Sequence, residues 1–155
     1  MKGSYREINQ KIKSIKKVFR KQIKDSLFFG FIITLEDDTT IKIFQEEQSL
    51  CCEQYDVILL SNFYDDDPNI NELKQVETCY INGISWGKKL HEDYKNQLET
   101  KTNIYQHGNN KEFYCYIDIL TDKGLIQIVC FNYHYGNYPH SVYVEWDNFT
   151  DLEHI

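Results

Sequence analysis

"FYCYIDILTDKGLIQIVCFNYHYG", residues 113–136, decides the fold class. Phe113, Cys115, Ile117 and Ile119 alternate with Tyr114, Tyr116 and Asp118. That period of two is the pattern of a strand with one face turned to a core. A second apolar run follows Asp122-Lys123-Gly124, where the glycine supplies the positive φ of a tight turn. The two runs read as an antiparallel hairpin. Gly136-Asn137 then turns the chain again, and Val142 to Trp146 returns as a last strand.

Upstream the same logic holds. "LFFGFIITLEDDTTIKIFQ" is two strands joined at Glu36-Asp37-Asp38-Thr39, and "EQYDVILLSN" is another strand. Asp65-Asp66-Asp67-Pro68 breaks regular structure, with a short turn of helix expected through Glu72 and Leu73. "TCYINGISW" reads as a strand interrupted or ended at Asn82-Gly83. The opening segment is different: Tyr5, Ile8, Ile12, Ile15, Phe19 and Ile23 recur every three or four residues, and Ser4 with Glu7 forms a capping box. This spacing predicts an amphipathic helix; a short helix to Gln10 followed by a strand "KIKSIKKVF" is the competing reading. The 155 residues make one α+β domain with a basic N-terminal element (1–24), a β block (26–86), a polar excursion (87–110) and a C-terminal β block (111–148). The expected architecture is a mostly antiparallel β meander, as a sheet or partly closed barrel, with a short N-terminal helix and one surface excursion.

Charge is segregated. Residues 1–24 hold nine Lys/Arg against one acid, a charge of +8, whereas the rest holds eight against 23, a charge of −15. The plain reading is that the basic segment packs on its own acidic body or faces water. The sharper one gives the acidic body a basic protein partner, or the basic segment a phosphate backbone; repulsion from the acidic body disfavours direct nucleic-acid binding. No apolar run is long enough to span a bilayer, and five cysteines without CxxC spacing fit reduced thiols in a cytoplasm, that of the host cell if the chain is viral. The chain lacks alanine and has only two arginines, which fits coding by an AT-rich genome, that of a bacterium, its phage or a large virus.

Two stretches hold residue types that can do chemistry. The first is Cys51-Cys52-Glu53. Neighbouring cysteines on a strand point to opposite faces, and a structural zinc needs four ligands. Cys79, His91, Cys115, Cys130, His134 and His140 form no recognisable ligand spacing with them. Buried thiols acting as small hydrophobes are the simpler reading, and no cofactor or metal is expected. The second is "FNYHYGNYPHSV", where Tyr133, His134, Tyr135, Asn137, Tyr138 and His140 crowd a glycine turn. Aromatic residues with polar tips suit a binding surface, and tyrosine equally suits strands. Phosphate-loop, nucleophile-elbow and HExxH signatures are absent.

These two blocks together resemble an uncharacterised domain family frequent in phages and their hosts. Its pattern joins a Cys-Cys-Glu motif, an aromatic-rich strand, a Lys-Gly turn, a second strand and a YG–N–Y–S–V loop. Cys51, Cys52 and Glu53 match the first block; Phe113, Tyr114, Lys123, Gly124, Tyr135, Gly136, Asn137, Tyr138, Ser141 and Val142 match the second. Pro139 and His140 depart from it. The resemblance implies a short helix followed by a strand at the N-terminus, which favours "KIKSIKKVF" as β. It also implies a viral accessory role, with Cys51, Cys52 and Glu53 as a structural corner, and transfers no activity.

Three function classes follow. The leading expectation is a small non-enzymatic phage or viral accessory protein that binds and blocks a host macromolecule, such as a defence component with a basic surface. Its acids at Glu36, Asp37, Asp38, Glu46, Glu47, Asp65, Asp66 and Asp67 would stand in for phosphates. The alternatives are a small-ligand, nucleotide-like binding or sequestering protein using the 133–140 loop, with self-association open, and a cysteine- or zinc-dependent enzyme.

Overall fold

Alternating apolar and polar residues become strands wherever that pattern occurs, and also where the spacing predicts a helix. The computed structural model describes residues 5–47, 54–63, 71–102, 111–134, 140–147 and 149–155. Among these, the strands are β1 (Arg6–Ile23), β2 (Ser26–Leu35), β3 (Thr40–Glu47), β4 (Gln54–Leu60), β5 (Tyr80–Gly87), β6 (Lys111–Thr121), β7 (Gly124–His134), β8 (Ser141–Trp146) and β9 (Phe149–His154). Helices α1 (Glu72–Val76) and α2 (Lys95–Thr102) join them, with a 3-10 turn at Glu92–Tyr94. The strands form one antiparallel sheet in the order β4-β7-β6-β5-β1-β2-β3-β8-β9. The sheet is folded over but not closed into a barrel.

The N-terminal helix is a correction: Arg6–Ile23 is a strand throughout. Its apolar residues mimic helical spacing because the strand is bulged. Two residues of β1 pass against one of β2 between Ile12 and Ser14, so Ile15 faces inward three positions after Ile12. Further shifts lie at Glu7/Gln10 and Val18/Lys21, and Asn9 and Arg20 take φ of 55° and 54°. Tyr5 and Phe19, which a helix would put on the buried face, are 51% and 69% exposed.

The long β1 joins the two halves of the sheet. Arg6–Lys11 pairs with β5, and Ile12–Ile23 pairs with β2. The concave faces of both halves meet in one core, from Ile12 and Ile15 through Phe31 and Ile43 to Ile117 and Ile128. Polar ties cross between the halves. Gln45 donates to the Phe131 carbonyl at 3.1 Å, and Trp86 Nε1 donates to Asp151 at 2.6 Å. The expected turn at Asp122-Lys123 forms, with Gly124 at φ 127°. β5 continues through Gly83 with a slip in pairing between Ile81 and Gly83.

The polar stretch 87–110 holds the 3-10 turn and α2 within its described part. Tyr94 and Leu98 bury against Ile58, Leu60, Val129 and Phe131, on the sheet face opposite the main core. Gln97 and Lys101 donate to the carbonyls of Ser61 and Leu59, both at 2.7 Å. Lys101 also pairs with Glu72 of α1 at 2.6 Å. No helix among the described residues is long and apolar enough to cross a membrane.

Candidate ligand groove on the outer sheet face

The cross-strand register builds the site. Ser85 of β5 stands opposite Asp118 of β6, which stands opposite Gln127 of β7. All three lie on the face away from the main core, because their neighbours Ile84, Ile117, Ile119, Ile126 and Ile128 take the inward positions. A polar row thus runs across three strands. The chain leaves β5 at Gly87, and Lys88-Lys89-Leu90-His91 passes over the end of the row.

Gln127 holds that segment down. Its Oε1 accepts from the His91 backbone N–H at 2.8 Å, and its Nε2 donates to the Lys89 carbonyl at 3.0 Å and to Asp118 Oδ1 at 2.8 Å. The side chain is 1% exposed, so a buried amide has its donor and acceptor both used. His91 starts the 3-10 turn, with Nδ1 accepting from the Asp93 N–H at 3.2 Å. The turn is packed beneath: Tyr94 OH donates to the Leu125 carbonyl, and the His91 and Tyr94 rings lie 5.1 Å apart.

Between the row and the segment lies an open groove of about 390 Å³, lined by Ser85, Trp86, Lys88, Lys89, His91, Asp118, Leu125 and Gln127. Asp118 is its central group. Burial pushes this carboxyl above its usual range, while the bond from Gln127 and positive charge at His91 pull it part of the way back. Gly87 makes room for it: a Cβ there would fall 2.5 Å from Asp118 Oδ1 and 2.9 Å from Cγ. Beside Asp118 on β6, the rings of Tyr114 and Tyr116 lie parallel with centroids 6.0 Å apart. The groove therefore combines cations, a carboxyl able to accept or, when protonated, donate, and a hydroxyl.

Of the residues singled out in the sequence, His91 lines the groove. Cys51, Cys52, Glu53, Asp65, Asp66, Asp67, Tyr135, Asn137 and Tyr138 lie outside the described residues. Of Tyr133 and His134 only the backbone on β7 is described, Tyr133 paired with Gln54 and Glu112 and His134 with Lys111. His140 is wholly buried, with Nδ1 2.6 Å from the Glu46 carbonyl and its ring 4.7 Å from Tyr55. Its backbone exchanges two hydrogen bonds with Ile155, at 2.6 and 2.9 Å, extending the β8–β9 ladder. Cys79, Cys115 and Cys130 are buried, and the last two stand opposite each other in the β6–β7 register. Among the described residues no group of three or more His, Cys, Asp or Glu is placed to hold a metal.

Surface acids named above are partly engaged within the chain. Asp38 pairs with Lys13 at 2.6 Å, Asp37 accepts from Gln10 at 2.9 Å, and Glu47 faces Arg20 at 3.5 Å. The groove residues carry one sequence signal: Asp118 in "YIDIL" and Gln127 in "LIQIV" are single polar residues inside strongly apolar strands. No protein-family model, curated protein or solved structure matches the chain.

Proposed function

We propose that the protein is a small-ligand-binding protein whose ligand occupies the Ser85–Asp118–Gln127 groove. The ligand carries an anionic group, held by Lys88, Lys89 and His91, and a hydrogen-bond donor read by Asp118 and Ser85. A nucleotide-like molecule has both. The observation that carries this reading is the fully bonded, buried Gln127, which holds the Lys88–His91 segment in place before any ligand arrives. Such preorganisation lowers the ordering cost of binding, and the groove's volume lies within the usual range for small-molecule sites. An acidic surface mimicking phosphates has weaker support, since Asp37, Asp38 and Glu47 already face Gln10, Lys13 and Arg20. A phage or viral accessory role would make the bound molecule one that the host depends on, sequestered in its cytoplasm.

The test is to purify the protein gently at low salt, denature it and identify released small molecules by mass spectrometry, beside a Lys88→Glu/Lys89→Glu variant. An anionic compound released by the wild type and missing from the folded variant supports the reading. Equal release from both, or no released compound, counts against it.

A further inference from the structure

Among the described residues, the C-terminal part of β1 has a strand on one side only. Beside β5 it pairs only through Lys11; Ile12 N–H then donates to the Cys79 carbonyl at 3.0 Å and Ile15 N–H to Glu77 Oε1 at 3.2 Å. Past Ile15, no strand lies on that side among the described residues, while β2 pairs along the other as far as Ile23. The free edge, Lys16 to Ile23, is about 26 Å long at the ordinary rise per residue. It is basic. Lys16, Lys21 and Lys24 are exposed and form no ion pair among the described residues, and Arg20 reaches Glu47 only at 3.5 Å with most of its side chain in solvent. At the bulge between Val18 and Lys21, Phe19 turns outward, 69% exposed, with Lys17 Nζ 5.7 Å from its ring centre.

We infer that this edge is a docking surface for an acidic, extended segment of another protein, which adds to the sheet as a strand and rests an apolar side chain on Phe19. An open edge offers alternating N–H and C=O groups, which only another polypeptide backbone answers in both senses. Charge fixes the kind of partner. Two copies pairing edge to edge would oppose lysines to lysines, which disfavours a two-fold dimer through β1. A nucleic acid would meet the cations but leave the strand's carbonyls unanswered, and its length would bring it against a body of charge −15. A short acidic peptide meets the cations and escapes most of that repulsion, because screening confines it to about a Debye length.

The experiment measures anisotropy of a dye-labelled peptide of alternating glutamate and valine against the whole protein. Beside it run the same peptide N-methylated at every residue and a thymidine oligonucleotide of equal length. The inference predicts saturable binding of the plain peptide, weakened about tenfold or more by Lys16→Glu/Lys21→Glu and several-fold by Phe19→Ser. It predicts that N-methylation, which removes the peptide's donors without touching the protein, abolishes binding. Absence of binding, equal binding of the methylated peptide, or tighter binding of the oligonucleotide would each overturn it. The groove variants leave all of these results unchanged, so the two readings fail separately.

Discussion

Gln127→Leu keeps the side chain's size and removes its hydrogen bonds. Three are lost: one from the His91 N–H, one to the Lys89 carbonyl and one to Asp118. A neutral bond contributes about 0.5–1.5 kcal/mol and one to a charged group about 1.5–3 kcal/mol. The His91 and Lys89 backbone groups sit at an open groove and recover some hydration, so a net loss of about 2–4 kcal/mol is expected. For a chain of this size that is a fall in Tm of about 5–12 °C. Thermal unfolding followed by circular dichroism gives the number, and amide exchange should quicken at Lys88–His91 before it quickens in β6 and β7. Lys42→Gln, on the far half of the sheet, serves as control and should move stability by no more than about 0.5 kcal/mol. A Gln127→Leu protein melting within about 1 °C of wild type would refute the claim that this side chain organises the groove.

Other expectations can be measured alongside. Because the folded pKa of Asp118 is raised, its ionisation costs stability, which is lost as pH rises from the unfolded pKa through the folded one. Asp118→Asn should therefore gain in Tm relative to wild type at pH 7 and show no such gain below the normal aspartate range, while weakening ligand binding. Glu72→Ala strips Lys101 of a carboxylate 2.6 Å away, both side chains being about one-fifth exposed; a loss of about 1–3 kcal/mol is expected from denaturant unfolding. Gly87→Ala should shift Asp118 and cost about 1–3 kcal/mol by the same assay. Burial pushes the Cys79 and Cys130 thiols up, so a disulfide reagent at pH 8 should label Cys79, Cys115 and Cys130 only as the protein unfolds; rapid labelling in the native state would contradict their burial.

Strong local patterns were legible in the sequence. The hairpin about Asp122-Lys123-Gly124 and the hairpin about Glu36–Thr39 each follow from alternation plus turn chemistry, both of which act within a few residues. The N-terminus misleads because a bulge inserts one residue into a period of two, and Ile8, Ile12 and Ile15 then land on helical spacing. The helix α2 has the opposite problem: only Leu98 is buried along its length, so there is no periodic stripe to read. β9 is short and alternates weakly, with Asp151 on its inward side bonded to Trp86. The groove was illegible for a different reason. Ser85, Asp118 and Gln127 become neighbours only through the pairing of three strands, and pairing register is set by the whole sheet.

In the proposed reading, Lys88, Lys89 and His91 form an anion site over Asp118. The most direct measurement titrates 15N-labelled protein with inorganic phosphate, at constant ionic strength, and follows the backbone amide shifts. Saturable shifts concentrated at Ser85–His91, Asp118 and Gln127, and lost in Lys88→Glu/Lys89→Glu, are expected. Shifts that fail to saturate, or that gather instead along the lysines of β1, would contradict it.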